Sequence, residues 1–209
     1  MSFTFSDDVS PFLDRNGEIF FKKHNLPHWN QKDKYQFVTF RTIDSLPQKE
    51  IEELKLFTSN FLRNHPQPWD YNTSIQYRKT ITKRKEELLD KGFGACLLKN
   101  PVNRRTVEDA IKFYDEDKYD IDSLVIMPNH VHLLVKMIGE ADITEVIGSI
   151  MRFTATKINK INNRKGALWL REGFDRIIRN EEHYKSCISY IERNPRNLKE
   201  GEFTLFKKN

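Results

Sequence analysis

The stretch Tyr119–Met137 reads YDIDSLVIMPNHVHLLVKM and decides the fold. Two apolar, β-branched runs, 119–127 and 130–137, are separated by Pro128 and Asn129, which favour a tight turn, so the pattern predicts a β-hairpin. Side chains alternate between the two faces of a strand. One face of the second run carries Val131, Leu133, Val135 and Met137, and the other carries His130, His132, Leu134 and Lys136. The histidines are therefore expected on the face that has polar neighbours.

Patterns typical of helices and strands alternate on both sides of this hairpin. Aromatic and β-branched residues predict a strand over 34–41. Pro47 precedes a helix expected over 48–64, where its missing N–H costs little. Further helices are expected at 76–91, 104–116, 142–160 and 181–194, and extended segments at 93–98, 168–170 and 174–178. Strands interleaved with helices and containing a hairpin indicate an α+β fold.

The composition limits the class of protein. A chain of 209 residues with 38% hydrophobic residues can form a packed core, and we expect a single domain over 1–209. Residues 1–30 are expected to be an irregular N-terminal extension and 196–209 a C-terminal tail. No apolar run approaches the roughly 20 residues of a membrane span. Because Cys96 and Cys187 are too few for a disulfide framework, we expect a reduced, cytoplasmic protein.

Positive charge is concentrated in one part of the chain. Residues 151–180 contain eight basic and two acidic residues, whereas the whole chain has a net charge of only +5. A local basic field on an otherwise balanced protein suits a polyanion such as nucleic acid. A solvated helix face would give the same pattern, so charge alone leaves both interpretations open.

The two histidines of the hairpin could bind a metal. A His-x-His pair on a strand places two imidazoles on one face about 6–7 Å apart, close enough to share a divalent cation. Such a pair is also common as an ordinary surface or core pair. The spacing therefore indicates a metal site only together with other residues.

The last predicted helix offers such a residue. At about 100° per residue, the helix has an apolar stripe that is expected to face the core and consists of Tyr184, Cys187, Ile188 and Ile191. Tyr190 lies away from this stripe, and Asn194 falls on its side one turn later. A tyrosine, whose ordinary pKa is about 10, is a poor nucleophile near neutral pH unless a base or a metal assists it. The histidine pair could supply that assistance.

Several motifs together resemble a known family, the IS200/IS605-type single-tyrosine HUH transposases, and in particular their REP-associated branch. The similarity covers roughly residues 20–197. An ordered set of this kind is much more specific than any one of its members. The motifs are Leu26–Trp29, Phe37–Arg41, Pro128–His132, Phe174–Arg179 and Tyr190–Pro195.

This resemblance implies a ferredoxin-like antiparallel sheet with packed helices. It implies metal-dependent cleavage and strand transfer of single-stranded DNA, with Tyr190 as the nucleophile that forms a 5′-phosphotyrosine. The metal ligands would be His130, His132 and the side-chain oxygen of Asn194, holding Mg²⁺ or Mn²⁺. It also implies hairpin-forming DNA as the partner, a nucleoid-associated location, and a monomer rather than the dimer of insertion-sequence members.

Family members bind DNA hairpins, so basic and aromatic residues of the 151–180 segment are candidates for DNA contacts. A solvated charge or a core aromatic is the alternative for each. The chain departs from the family after Pro195, where Arg196–Gly201 replaces the usual turn. Two other functions stay open, a hairpin-binding regulator without catalysis and a hydrolase of small phosphoesters. The candidate DNA contacts are Arg152, Lys157, Arg164, Lys165, Trp169 and Arg171.

Overall fold

The structure is a computed structural model that describes residues 10–23, 27–171 and 173–208. The chain forms two compact units, one made of the residues up to Ile43 and from Leu97 onward, the other of Asp44–Cys96. Within the described residues, no helix has the length and apolarity that a membrane span requires. That the whole chain behaves as one domain stays a prediction.

The larger unit contains seven strands and three α-helices among its described residues, together with two short 3₁₀ turns at Leu97–Lys99 and Asn194–Asn197. The strands are β1 (Phe20–Lys23), β2 (Pro27–Asn30), β3 (Tyr35–Arg41), β4 (Tyr119–Ile126), β5 (His130–Met137), β6 (Phe174–Ile177) and β7 (Thr204–Lys207). The helices are α3 (Pro101–Lys112), α4 (Ile143–Ile161) and α5 (Glu181–Arg193).

A five-stranded antiparallel sheet with the order β6-β3-β5-β4-β7 organises the larger unit. Without the edge strand β7, the chain order β3-α3-β4-β5-α4-β6 and the strand order β6-β3-β5-β4 are the ferredoxin-like topology. The predicted α+β, ferredoxin-like class is therefore confirmed. The predicted hairpin is β4 and β5, in which Ile126 pairs with Val131 across the Pro128-Asn129 turn.

Each face of the sheet is covered by helices. On one face, α3 and α4 pack through residues such as Ile111 and Ile150 against Phe40, Val131 and Leu133. On the other face, α5 packs through Tyr184, Cys187 and Ile191 against Phe37 and Leu134. These three α5 residues belong to the stripe predicted from its periodicity. The histidine face of β5 has polar neighbours as expected, Thr39 and Arg41 on β3. It also carries the apolar Leu134 and is covered by α5.

Several local predictions were wrong or incomplete. Residues 93–98 do not form a strand, because Gly94 and Cys96 have φ values of 88° and 47°, which a strand cannot accommodate. The N-terminal part contains the β1–β2 pair, and residues 1–9 lie outside the described residues. The predicted C-terminal tail contains β7, which pairs with β4. Arg104 helps to fix this tail by donating a hydrogen bond to the Gly201 carbonyl oxygen (2.6 Å).

The smaller unit is a pair of helices, α1 (Gln48–Asn64) and α2 (Tyr71–Asp90). The helix predicted over 48–64 is confirmed, and the one predicted over 76–91 begins a turn earlier because the Asp70 side chain accepts a hydrogen bond from the Thr73 backbone N–H. Its small core is formed by Leu46, Leu88 and Leu89.

A buried hydrogen bond in the larger unit gives a stability prediction. The indole Nε1–H of Trp169 donates to Thr154 Oγ1 at 2.9 Å, and both residues are buried. Thr154→Val keeps the shape but leaves the indole without an acceptor, and we expect the free energy of unfolding to fall by about 1–3 kcal/mol. Urea denaturation followed by tryptophan fluorescence measures this change.

Thr156→Val is the matched control, because Thr156 is an exposed residue of the same helix whose hydroxyl donates to the Arg152 carbonyl oxygen. We expect its effect to stay within about 0.5 kcal/mol. Equal losses in the two variants would contradict a role for the Trp169 hydrogen bond.

Candidate active site

The two histidines lie at the centre of the sheet, because β5 pairs with β3 on one side and β4 on the other. His130 is 1% exposed and His132 is 2% exposed. Across the β3–β5 ladder, Arg41 is opposite His130 and Thr39 is opposite His132. These four side chains therefore project from the same face of the sheet.

Asn129 orients His130. The imidazole Nδ1–H of His130 donates to Asn129 Oδ1 at 2.7 Å. Asn129 is itself anchored, because its carbonyl oxygen accepts the Thr42 backbone N–H (2.8 Å). With the proton on Nδ1, the Nε2 of His130 carries a lone pair, and this buried nitrogen has no hydrogen-bond partner.

Thr39 and Tyr190 hold the two nitrogens of His132. Thr39 Oγ1 lies 2.8 Å from Nδ1, and the Tyr190 hydroxyl lies 3.1 Å from Nε2. When Nδ1–H donates to Thr39, Nε2 accepts the proton of the Tyr190 hydroxyl; the other tautomer reverses both donors. The imidazole thus connects the tyrosine hydroxyl to β3.

Helix α5 places Tyr190 over the histidine pair. The helix begins at Asn180, whose side chain accepts the His183 backbone N–H (2.9 Å). The Tyr190 ring meets the His132 ring nearly edge-on at 4.9 Å and the Phe37 ring at 6.0 Å. Tyr190 is half-buried, in contrast to the buried Tyr184 of the same helix. Its hydroxyl is therefore beside an imidazole without being enclosed in the core.

Asn194 lies one turn after Tyr190, where α5 ends and the 3₁₀ turn Asn194–Asn197 begins. Its side chain raises the pKa of His130, because it would accept a hydrogen bond from the protonated ring; with the neutral ring, Oδ1 is buried and has no hydrogen-bond partner. Two buried acceptor atoms, His130 Nε2 and Asn194 Oδ1, therefore lack a donor. Buried acceptors normally have partners, and a cation would satisfy both.

This donor set fits a divalent cation through two imidazoles and one amide oxygen. The described residues contain no cluster of three or more His, Cys, Asp or Glu side chains suited to a metal. A cation here would depend on the amide of Asn194 for its oxygen ligand.

Burial keeps both imidazoles neutral. Burial lowers the pKa of His130 to about 4, with Arg41 adding to the decrease and Asn194 opposing it. The pKa of His132 is lowered well below 6.5, first by burial and then by the neighbouring His130 and Arg176. Both rings can therefore offer lone pairs near neutral pH without first releasing a proton.

The predicted DNA-contact residues are not brought together with these groups. Arg152 and Lys157 lie on the exposed side of α4, which packs on the sheet face opposite to that of the histidines. Lys165 and Arg171 are exposed and Arg164 is half-buried.

The stacking role predicted for Trp169 is wrong. Its ring is 5% exposed and packs edge-on against Phe40 at 4.9 Å, while its indole N–H is bound to Thr154. Trp169 cannot stack on a nucleic-acid base from within the core.

Sequence reasoning missed three residues of the site: Thr39, Asn129 and Arg176. Asn129 is adjacent to His130, and its side chain could have been considered from that position alone. Thr39 and Arg176 lie on other strands, so finding them requires the register in which Thr39 meets His132 and Arg176 meets Phe37.

Three comparisons relate the chain to known proteins, and the family match agrees with the resemblance. Residues 95–194, just under half of the chain, match the family described as "Transposase IS200 like", and this segment contains His130, His132, Tyr190 and Asn194. An uncharacterized protein of Haemophilus influenzae (strain ATCC 51907 / DSM 11121 / KW20 / Rd) is 26% identical over 165 residues, which cover 60% of this chain and 92% of that protein. A solved structure of a REP-associated tyrosine transposase bound to a REP hairpin is 15% identical, with a TM-score of 0.40, and the match covers 80% of this chain and 69% of that one.

The buried histidines predict loss of stability in acid. His130 has a pKa of about 4 in the folded protein and about 6.5 in the unfolded chain, so the unfolded chain binds more protons between these values. In EDTA, the free energy of unfolding should therefore fall as the pH drops from 6.5 to 4. We expect His130→Gln to remove about 3 kcal/mol of this decrease, measured by urea denaturation at several pH values.

His183 is subject to the same effect, because burial also lowers its pKa to about 4. We expect His183→Gln to remove a smaller part of the decrease than His130→Gln does, since the half-buried His183 side chain is screened by solvent. If the free energy of unfolding of the wild type and of His130→Gln fell in parallel across this pH range, the lowered pKa of His130 would be contradicted.

Proposed function

We propose that this protein is a metal-dependent transesterase of single-stranded DNA, an HUH-type transposase in which Tyr190 is the nucleophile. The observation that carries the proposal is the contact of the Tyr190 hydroxyl with His132 Nε2 (3.1 Å). Two buried acceptor atoms without a hydrogen-bond partner, His130 Nε2 and Asn194 Oδ1, belong to the same site. The tyrosine hydroxyl therefore lies together with the acceptor atoms that could hold a cation, at one end of α5. The match of residues 95–194 to IS200-like transposases supports this assignment.

His130 Nε2, His132 Nε2 and Asn194 Oδ1 would hold the cation, Mg²⁺ or Mn²⁺. Mn²⁺ accepts nitrogen ligands more readily than Mg²⁺ does. A bound cation would polarise the scissile phosphate and stabilise the charge that develops on the leaving oxygen. If His132 Nε2 were to bind a cation, its lone pair would no longer be available to accept a hydrogen bond from the Tyr190 hydroxyl.

In the reaction, the Tyr190 oxygen forms a bond to phosphorus while the bond from phosphorus to the 3′ oxygen breaks. The 5′ phosphate becomes joined to Tyr190, and the 3′ oxygen leaves as a hydroxyl. The proton that the tyrosine loses balances the one that this oxygen gains. Because one phosphoester replaces another, a second 3′ hydroxyl can reverse the reaction and join strands without ATP.

Hairpin-forming single-stranded DNA is the proposed partner, bound by a protein monomer at the nucleoid. Arg164, Lys165 and Arg171 belong to the basic segment that precedes β6, and phosphate contacts from them would steer a strand toward the sheet edge. Arg152 and Lys157 remain candidates for contacts with a hairpin stem at a distance from the nucleophile.

Covalent capture tests the proposed reaction. The protein is incubated with 3′-labelled single-stranded DNA carrying a set of hairpins, together with Mn²⁺ or Mg²⁺, and separated on a denaturing gel. We expect label at the mass of the protein, because the 3′ fragment stays joined through its 5′ phosphate. Tyr190→Phe should abolish this band, since phenylalanine has no oxygen to attack phosphorus.

Tyr184→Phe is the matched control on the same helix and should retain the adduct, because the Tyr184 ring is buried in the core. A Tyr190→Phe variant that still forms the adduct would refute the nucleophile assignment. Hairpin binding without any adduct would favour a non-catalytic regulator. Hydrolysis of a small phosphoester without a protein adduct would favour a hydrolase.

The metal site makes a separate prediction. Asn129→Ala removes the acceptor that holds the His130 Nδ1–H, and Thr39→Val removes the hydroxyl beside His132 Nδ1. Such supporting partners fix the orientation of ligating histidines, and we expect each variant to weaken Mn²⁺ binding by about 10- to 100-fold. Isothermal titration calorimetry with MnCl₂ measures the affinity directly.

Asn159→Ala is the control. Asn159 lies on α4, on the other face of the sheet, and its side chain donates to the Gly166 carbonyl oxygen, so we expect this variant to bind Mn²⁺ like the wild type. Unchanged affinity in both Asn129→Ala and Thr39→Val would show that these residues do not support a metal site.

A further inference from the structure

Arg176 is a half-buried cation on the histidine face of the sheet. In the β3–β6 ladder it lies opposite Phe37, so its side chain projects on the same side as Thr39 and His132. Its Nε atom is buried without a hydrogen-bond partner. No ion pair within residues 10–23, 27–171 and 173–208 includes it.

Aromatic rings and a thiol hold this guanidinium in place. Its Cζ lies 5.0 Å from the centre of the Phe37 ring and 5.9 Å from that of Phe174. One Nη atom donates to the Cys187 sulfur at 3.9 Å, a long and weak contact. These contacts fix the position of the charge, and among the described residues no carboxylate forms an ion pair with it.

The ring of Phe37 connects Arg176 to the nucleophile. His132 stacks on this ring at 5.6 Å, and Tyr190 meets it edge-on at 6.0 Å. Arg176, His132 and Tyr190 are thus grouped around one aromatic side chain. The charge of Arg176 also lowers the pKa of both His132 and His183, which places its field across the site.

A guanidinium that forms no ion pair within the described part of the chain suits a phosphate group. Its N–H donors form a planar fork that matches two phosphate oxygens, and a partly apolar setting strengthens the attraction. Phe174 is 48% exposed, so the side of Arg176 that it covers is near solvent. A nucleic-acid strand could reach the guanidinium from this side.

We propose that Arg176 binds the non-bridging oxygens of the phosphodiester that Tyr190 attacks, and of the phosphotyrosine that forms. This inference rests on the proposed transesterase function. Arg176 orients the phosphate toward the tyrosine oxygen and stabilises the added negative charge on it. Arg176 was not among the candidate DNA contacts predicted from the sequence.

Inorganic phosphate is the probe for a first test, in EDTA and without DNA. The Nε–H resonances of arginine are followed by ¹H–¹⁵N NMR, and Arg176→Gln identifies the signal of Arg176. We expect this signal to shift in a saturable way as phosphate is added. Arg176→Gln should raise the Kd for phosphate at least tenfold, whereas Arg176→Lys, which keeps the charge but not the fork, should raise it less.

Arg105→Gln is the charge-matched control, because Arg105 is an exposed α3 residue paired with Asp109 at 2.8 Å, and it should leave the Kd unchanged. An Arg176 signal that does not respond to phosphate in the wild type would overturn the proposal, and this measurement does not depend on whether the variants fold. Equal weakening by Arg176→Gln and Arg105→Gln would also overturn it.

Adduct formation separates this inference from the proposed function. We expect the rate of covalent adduct formation to fall about 100-fold in Arg176→Gln and to be partly restored in Arg176→Lys. A wild-type adduct whose rate is unchanged in Arg176→Gln would overturn the role of Arg176 alone. Phosphate binding that depends on Arg176, without any wild-type adduct, would support the phosphate site and overturn the transesterase.

Discussion

The hydrogen-bonded position of β5 between β3 and β4 is the constraint on which the rest of the larger unit depends. A strand in this position has neighbours on both sides and helices over both faces, so all of its side chains except the half-buried Lys136 are buried. Apolar residues such as Val131 and Leu133 meet this requirement by packing. His130 and His132 meet it only through polar partners, because an imidazole with unsatisfied nitrogens is costly to bury.

The partners that satisfy the histidines come from three parts of the chain, and this explains how the site is assembled. Asn129 belongs to the hairpin turn, Thr39 to a neighbouring strand, and Tyr190 to α5. Asn129 contacts His130 Nδ1, Thr39 contacts His132 Nδ1, and Tyr190 contacts His132 Nε2. His130 Nε2 is then the one histidine nitrogen of this pair without a hydrogen-bond partner, as is Asn194 Oδ1. The packing of α5 on the sheet therefore also completes the site, because the same helix supplies the apolar stripe and the tyrosine.

The sequence allowed prediction of the parts that depend on local patterns. The hairpin and α5 have clear periodicity and turn chemistry, so their positions and the separation of Tyr190 from Tyr184 were predictable. The four-residue strands β1, β2 and β7 were not, because short strands are defined by their pairing and not by their own residues. The same holds for Thr39 and Arg176, whose places in the site depend on strand register. At 93–98, the left-handed backbone of Gly94 and Cys96 overrode a β-like composition.

The charges of the arginines act on the histidines of the site. Burial holds the imidazoles neutral, and the charges of Arg41 and Arg176 lower their basicity further, so neither histidine competes with the arginines for an anion. The same positive field would weaken the binding of a cation to the neutral rings. A phosphate held at Arg176 would cancel part of that field, and cation and phosphate would then bind more tightly together than separately. Such mutual support requires that the arginine lack a carboxylate partner, because a fixed internal ion pair would neutralise it before DNA arrived.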